Sequence, residues 1–242
     1  SRSPGRSQAL AGLTVAGINV AGISVVVPAL NEARHLPFLL ADLQRWPNAL
    51  EIVVVDGGST DKTIQVAHQG GARVLQSPVQ GRGQQLQQGL QSSQHAWLLI
   101  LHADSRLSQN WVDHVERVHT MAQGREQAWA FDFRVDERRP MLRLLEWCVE
   151  LRSRWGQMPY GDQGLLIHRS LYDRVGGYRS LALMEDLDLI QRLRQISRIG
   201  ALGCALTTSS RRWSRRSVLN QAWKNAQLRR RWRNGVNAEQ LI

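Results

Sequence analysis

The chain has 242 residues, 43% of them hydrophobic, which is enough apolar surface for one α/β domain with a buried core. This composition excludes an intrinsically disordered or a collagen-like chain. The formal net charge is +11, almost wholly from arginine because Lys62 and Lys224 are the only lysines, so an anionic partner such as nucleic acid, a phospholipid surface or a phosphorylated substrate is expected.

The first hundred residues predict buried strands that alternate with helices. Apolar runs predict buried strands at residues 23–28, 51–55 and 96–101, and a short strand is predicted at 73–76. Unbroken runs are typical of a parallel sheet that is covered on both faces. The predicted fold class is therefore α/β, with a mostly parallel central sheet flanked by helices. Ligands of such sheets bind at the carboxyl ends of the strands.

The helices between these strands begin with turn-forming residues. Asn31 is predicted to cap the first helix, and Ser59 or Thr60 the second. Residues 81–93 predict a third, polar helix that opens with glycines. The first helix has a stripe of leucines at helical spacing, namely Leu36, Leu39, Leu40 and Leu43.

The second half of the chain is less regular. It predicts strands at 129–135, 164–168 and 200–207, helices at 141–154 and 187–196, a Gly/Pro loop at 155–163, and a basic helix at 217–233. We divide the chain into a flexible leader (1–21), a catalytic domain (22–210) and a basic helical extension (211–242). Cys148 and Cys204 cannot build a disulfide framework, and a reducing compartment is the simpler expectation.

Acidic residues follow two of the buried strands. Asp104, in a tight turn, is placed to hold Mg²⁺ or Mn²⁺, although an Asp at such a place also simply forms turns. Asp56 is placed either to accept a hydrogen bond from a nucleotide or to close its own turn. Glu185 and Asp186 begin a helix, where they serve either as a general base or as an acid pair that complements the helix dipole.

Arg82 is the cation with the most distinctive surroundings, because glycines flank it on both sides. Its guanidinium suits a diphosphate through paired N–H donors, while the ordinary alternative is a solvated surface charge. The C-terminal stretch 211–233 carries nine basic residues, three tryptophans and no acid. A solvated helix packed on the domain, an anionic membrane surface and nucleic acid all remain as interpretations of this stretch.

Seven short motifs follow one another in order: P-A-L-N-E, V-V-V-D-G-G-S-T-D, G-R-G, H-A-D-S, G-D-Q-G, M-E-D-L-D-L and R-R-W. Together they resemble the family-2 glycosyltransferases, which have the GT-A fold, over about residues 22–215. The H-A-D-S turn, with G-D-Q-G and E-D-L-D-L, is similar to a bacterial subgroup of that family.

The resemblance implies a role for each matching residue. Asp186 would be the catalytic base and Asp104 would hold the metal ion, Mg²⁺ or Mn²⁺. Asp56 would bind the nucleotide base, and Arg82 would lie near the base or the diphosphate. The remaining substrate-binding positions implied by the motifs are Pro28, Glu32, His102, Asp162, Glu185, Arg212 and Trp213.

Two positions depart from the family pattern. His102 stands where the first acid of the D-x-D motif is expected, so the metal site has one negative charge fewer. Ser209 stands in place of the glutamine of Q-x-x-R-W, which argues against processive polymerisation.

The sequence thus predicts an inverting, metal-dependent transfer of a sugar from a nucleotide-diphosphate sugar, with a UDP-sugar favoured. The acceptor hydroxyl is unidentified and is either lipid-linked or on a small molecule. A nucleotidyltransferase, and a non-enzymatic membrane- or nucleic-acid-binding module, are the alternatives; for the enzyme, no nucleic-acid partner is expected. The expected location is the cytoplasm, or the inner face of the plasma membrane as a peripheral protein.

Overall fold

The computed structural model describes residues 19–79, 81–137, 140–154, 158–159, 161–181, 183–209, 227–228 and 230–232. Eight strands form one sheet: β1 (Asn19–Ala29), β2 (Leu50–Asp56), β3 (Arg73–Gln76), β4 (His95–Ile100), β5 (Arg106–Leu107), β6 (Ala128–Val135), β7 (Leu165–His168) and β8 (Ile199–Thr208). Their order across the sheet is β3-β2-β1-β4-β7-β6-β8-β5.

Helices cover both faces of this sheet. They are α1 (Leu36–Leu43), α2 (Thr63–Gln69), α3 (Arg82–Ser92), α4 (Trp111–Thr120), α5 (Pro140–Arg154), α6 (Arg169–Arg174) and α7 (Glu185–Ile196). Two short 3₁₀ turns lie at Gly124–Glu126 and Gly161–Gln163. Within the ranges that the structure describes, no helix is both long and apolar enough to cross a membrane.

The strand directions bring several chain segments to one edge. Strands β3, β2, β1 and β4 are parallel, and β1 and β2 end side by side because Ala29 pairs with Asp56. Strand β7 runs antiparallel to β4, and its first residue Leu165 pairs with Ile100 at the end of β4. Strands β6 and β8 again run in the direction of β4, and they end together at the pair Val135–Thr208. We call the edge of the sheet at which these parallel strands end, and at which β7 begins, the carboxyl edge.

The α/β fold with a mostly parallel sheet is confirmed, and its core explains the unbroken apolar strands. Val25 and Val27 of β1 face one apolar cluster with α1 and α4, while Val26 faces a second cluster with α3 and α7. All three valines are fully buried. Because both faces of β1 are covered, neither face tolerates the polar residues that would produce an alternating pattern.

The two predicted helix caps are wrong. Helix α1 begins five residues after Asn31, and neither α1 nor α2 has a side-chain cap from its preceding residue. Asn31 has a left-handed backbone with φ of 56°, and its Oδ1 accepts the N–H groups of Thr60 at 2.8 Å and Asp61 at 3.3 Å. Asp61 in turn accepts the N–H of Thr63 at 2.9 Å. These polar side chains therefore join the loops after β1 and β2 to each other.

The predicted strands and helices up to residue 208 are present, within a few residues at each end. Strand β1 begins at Asn19, inside the segment predicted as leader. The sequence interpretation did not assign β5, α4 or α6. The remainder of the predicted leader lies outside the described residues, as does most of the basic helix, of which residues 227–228 and 230–232 are helical.

Candidate active site

The carboxyl edge collects most of the residues singled out from the sequence. Asp56 is the last residue of β2, and His102 and Asp104 follow β4 directly. Asp162 lies in the 3₁₀ turn just before β7, which starts at the same edge. Pro28, at the end of β1, is partly buried there. Arg212 and Trp213 lie outside the described residues.

Asp56 has one carboxylate oxygen in use and one open. The side chain is 2% exposed, and its Oδ2 accepts the N–H groups of Gly58 at 2.9 Å and Ser59 at 3.0 Å. Its Oδ1 is buried and has no hydrogen-bond partner among the described residues. A buried acceptor without a donor is costly, so this oxygen is suited to receive an N–H or O–H from a ligand.

Gln85 of α3 fixes the backbone next to Asp56. Its Nε2 donates to the carbonyl of Val55 at 2.7 Å and to that of Ala29 at 3.1 Å, which ties the ends of β2 and β1 together. A Cβ at Gly57 would lie 3.0 Å from this amide nitrogen, so the glycine allows the close approach. Nothing in the sequence marks Gln85, because one glutamine in a polar helix carries no distinctive signal.

Glu32 lies in the loop after β1, close to the loop after β2. Its backbone N–H donates to the Thr63 hydroxyl at 2.8 Å, and its carboxylate lies 3.2 Å from Nδ1 of His35. The side chain of Glu32 is only 16% exposed. The loop network that includes Asn31 therefore holds Glu32 beside the end of β1.

His102 and Asp104 lie in a buried turn after β4. The turn is closed by the Ser105 N–H, which donates to the His102 carbonyl at 3.1 Å. Across the described part of the chain, no three His, Cys, Asp or Glu side chains are grouped to hold a metal ion. One buried carboxylate, with a buried histidine two residues earlier in the same turn, nevertheless fits Mg²⁺ or Mn²⁺, since these ions take one or two protein carboxylates and complete their shell with phosphate oxygens and water.

Arg82 contacts both acids at the start of α7. Its Nε lies 2.6 Å from Oε1 of Glu185, and its Nη2 contacts Oδ2 of Asp186. Both acids are buried, and both lie in the first turn of α7, where the helix dipole favours negative charge. The sequence interpretation placed Arg82 near the nucleotide, and it did not foresee this pairing.

Two local features make the pairing geometrically possible. A Cβ at Gly83 would lie 2.7 Å from the Leu181 carbonyl oxygen, so only glycine lets α3 approach the segment before α7 this closely. Met184, the residue before α7, has a left-handed backbone with φ of 67°. A non-glycine residue in this conformation is strained, and such strain is found most often at functional sites.

Tyr178 contacts the other oxygen of Asp186. Its hydroxyl donates to Oδ1 at 2.9 Å, and the ring is buried. Burial raises the pKa of Tyr178, so the hydroxyl remains a proton donor at neutral pH. Asp186 is therefore held by a neutral donor on one oxygen and by a guanidinium on the other. No motif in the sequence marks Tyr178 as a functional residue.

Asp162 is positioned by its neighbour Gln163. The Gln163 Nε2 donates to the Phe131 carbonyl at 3.2 Å, and its Oε1 accepts the Ser153 hydroxyl at 2.7 Å. Gly164 follows with φ of 61°, a conformation that favours glycine. The G-D-Q-G motif thus serves as a fixed corner that connects α5, β6 and β7.

Part of the chain matches a known protein family in sequence. Residues 24–129 match the profile of "Glycosyl transferase family 2". An uncharacterized glycosyltransferase of Mycobacterium tuberculosis is 34% identical over 84 residues, a stretch that covers 35% of this chain and 37% of the relative. The match thus spans well under half of that relative's length. Both findings support a glycosyltransferase enzyme, and the matched range includes Asp56 and Asp104 but not Asp186.

Structural comparison extends the likeness to most of the chain. A mannosyltransferase from Pyrobaculum calidifontis in complex with GDP-Man and Mn²⁺ has a TM-score of 0.64 at 18% identity, covering 92% of this chain and 68% of that chain. Glucosyl-3-phosphoglycerate synthase from Mycobacterium tuberculosis, in complex with Mn²⁺, UDP and glucosyl-3-phosphoglycerate, has a TM-score of 0.59 at 22% identity, covering 86% and 77%. The chain therefore has a GT-A-like α/β fold.

Proposed function

We propose that the protein is an inverting glycosyltransferase that moves a sugar from a nucleoside-diphosphate sugar to a hydroxyl acceptor. The observation that carries this proposal is the open, buried Oδ1 of Asp56 at the carboxyl edge, inside the range that matches the glycosyltransferase profile. A donor group must approach this oxygen from the place where ligands of parallel sheets bind.

Asp56 would bind the nucleoside of the donor. The imide N–H of uracil is a suitable hydrogen-bond donor to Oδ1, so a UDP-sugar is the favoured donor. Pro28 and Glu32, at and just after the end of β1, would line the same pocket. The solved neighbours in complex with UDP and with GDP-Man support a nucleotide-sugar donor.

The diphosphate is assigned to the H-A-D-S turn. Asp104, with His102 beside it, would hold Mg²⁺ or Mn²⁺, and the two solved neighbours named above contain Mn²⁺. When bound, the ion neutralises the charge that develops on the leaving nucleoside diphosphate. Asp162, on the neighbouring corner, would complete the substrate contacts on this side of the pocket.

The transfer step is assigned to the start of α7. Asp186 would remove the proton from the acceptor hydroxyl, whose oxygen then attacks the anomeric carbon as the bond to the diphosphate oxygen breaks. One displacement from the opposite face inverts the anomeric configuration. Glu185 would contact the substrate beside Asp186. Arg82 contacts both acids and would stabilise the negative charge of the diphosphate when the donor binds.

The acceptor and the cellular location are also proposals. A lipid-linked or small-molecule hydroxyl is the expected acceptor, with Arg212 and Trp213 near it. The nine basic residues of 211–233 favour binding to an anionic surface. The proposed location is therefore the cytoplasmic face of the plasma membrane, where the chain would be a peripheral protein.

A thermal-shift screen with UDP-, GDP- and dTDP-sugars, each with and without Mn²⁺, tests the donor assignment. We expect one nucleotide to raise the melting temperature of the wild type, more strongly with Mn²⁺, and to have little effect on Asp56→Asn. The exposed acid Asp173 supplies the matched control, Asp173→Asn, which should behave like the wild type. Stabilisation of Asp56→Asn equal to that of the wild type would contradict the assignment.

A further inference from the structure

Helix α5 presents an apolar face to solvent. Leu144, Trp147 and Leu151 are 52%, 59% and 37% exposed, and their spacing places them along one side of the helix. Cys148, on the same side, is also exposed. The opposite side packs against β6, where Leu142 and Val149 join a small buried cluster. The helix is therefore apolar on the side where a surface helix is normally polar.

The acids of α5 face inward. Glu146 is 4% exposed and accepts the Val135 N–H at 2.8 Å and Arg143 Nη1 at 2.6 Å. Glu150 is half-buried and lies 3.9 Å from Nη1 of Arg134. Among the α5 side chains that the structure describes, the outward face thus carries large apolar groups and Arg143, with no carboxylate.

The strand residues that precede α5 and the basic stretch 211–233 along the chain are paired with each other. Val135 pairs with Thr208, and the Asp136 N–H donates to the Thr208 carbonyl at 3.2 Å. Helix α5 begins five residues after Val135, and the acid-free stretch 211–233 begins three residues after Thr208. Helix α5 and the arginine-rich stretch therefore follow, along the chain, two residues that are paired at the carboxyl edge.

We propose that the outward face of α5 docks on an anionic lipid bilayer, with Leu144, Trp147 and Leu151 entering the interface while nearby arginines contact headgroup phosphates. The inference rests on the membrane location proposed above and names the surface responsible. Interfacial helices combine tryptophan and leucine with arginine. The hydrophobic and the electrostatic contributions to membrane binding then add. Docking in this way would bring the carboxyl edge, with the proposed active site, close to the membrane.

Charge favours a bilayer over a second copy of the chain. Nine of the positive charges lie in the stretch 211–233, which begins three residues after Thr208, so two copies meeting through the nearby α5 face would bring these like charges together. An anionic bilayer instead offers opposite charge and an apolar interior at one surface.

Cosedimentation of the full chain with vesicles tests the proposal. The vesicles contain equal parts of phosphatidylcholine and phosphatidylglycerol, and pure phosphatidylcholine vesicles serve for comparison. The test variant replaces Leu144, Trp147 and Leu151 by serine. The matched control replaces three exposed apolar residues elsewhere by serine, namely Phe38, Met121 and Ile196, which are 54%, 43% and 47% exposed. All these side chains are at the surface, so both variants should fold, and circular dichroism verifies it.

We expect the wild type and the control to bind the anionic vesicles, and the α5 variant to lose about 10-fold or more in vesicle affinity. Equal binding by the α5 variant would overturn the proposal, as would the absence of wild-type binding. Sedimentation velocity without lipid supplies another contrary outcome, a wild-type dimer that the α5 variant abolishes. Because no nucleotide sugar is present, failure of the proposed sugar transfer would leave these results unchanged.

Discussion

The Nε atom of Arg82 lies 2.6 Å from Oε1 of Glu185, which joins the first residue of α3 to the first residue of α7. The same guanidinium contacts Asp186. Two neighbouring buried acids would repel each other without a nearby positive charge, and the Arg82 guanidinium, which contacts both, offsets this repulsion. This contact links Arg82, which would stabilise the charge of the diphosphate, to the segment that would supply the base.

Arg82→Gln should lower the free energy of unfolding by about 1–3 kcal/mol at neutral pH. Loss of the guanidinium leaves two buried acids without their counter-charge, and the estimate stays modest because Arg82 is 31% exposed to screening solvent. Urea denaturation measures the change. Arg174→Gln, at an exposed position of α6, is the control and should stay within about 0.5 kcal/mol of the wild type. Equal stability of both variants would argue against the Arg82 ion pairs.

Asp186→Asn should bind the donor nucleotide yet lose about 10²–10⁴-fold in the rate of sugar transfer. The amide keeps the shape of the side chain but cannot accept the proton of the acceptor hydroxyl. Calorimetric titration with the donor and a product assay with the acceptor separate the two effects. A transfer rate close to that of the wild type would remove Asp186 from the role of base.

Tyr178→Phe tests whether the buried hydroxyl positions Asp186. The variant loses the 2.9 Å hydrogen bond to Oδ1, so kcat should fall about 10-fold with little change in KM. Tyr172→Phe is the matched control: its hydroxyl accepts the Tyr178 backbone N–H instead and does not touch the acid. If the two variants lose the same activity, general packing rather than positioning of Asp186 explains the effect.

Structural features that follow from a local residue pattern could be predicted from the sequence, whereas those that depend on tertiary contacts could not. The unbroken apolar runs predict β1, β2 and β4 because a strand that is buried on both faces has apolar residues at nearly every position. The cap assigned to Asn31 failed because its oxygen bonds the loop after β2, a partner about 30 residues away. Gln85 contacts Ala29 from 56 residues away, and no motif marks Tyr178, whose hydroxyl reaches Asp186 only because the chain folds back between them.

Gln85→Leu should destabilise the fold and weaken donor binding. The substitution removes the Gln85 amide donor from the carbonyls of Val55 and Ala29. Ala29 keeps the Gly57 N–H, and the loss at the buried strand ends costs about 1–3 kcal/mol. Gln88→Leu is the control on the same helix, because its amide bonds the Gln76 carbonyl at an exposed place. Urea denaturation and donor titration should rank Gln85→Leu well below both the control and the wild type. The opposite ranking would show that the ends of β1 and β2 do not depend on this amide.

The partly buried histidines His119 and His168 should make the fold sensitive to acid. Burial, together with the positive charge of Arg125, lowers the pKa of each to about 4. In the unfolded chain a histidine has its ordinary pKa near 6.5, so between pH 6.5 and pH 4 the unfolded chain binds more protons. The free energy of unfolding should therefore fall as the pH is lowered through this range.

His119→Phe isolates the contribution of one of these rings. His119 stacks on Trp97 with ring centroids 4.5 Å apart, and its buried Nε2 has no hydrogen-bond partner among the described residues. A phenyl ring keeps the stacking and cannot be protonated, so the variant should lose less stability than the wild type between pH 6.5 and pH 4. His68→Phe, at an exposed position, should retain the wild-type slope. Thermal melts at several pH values measure these slopes, and an unchanged slope in His119→Phe would show that acid destabilises the fold through other groups.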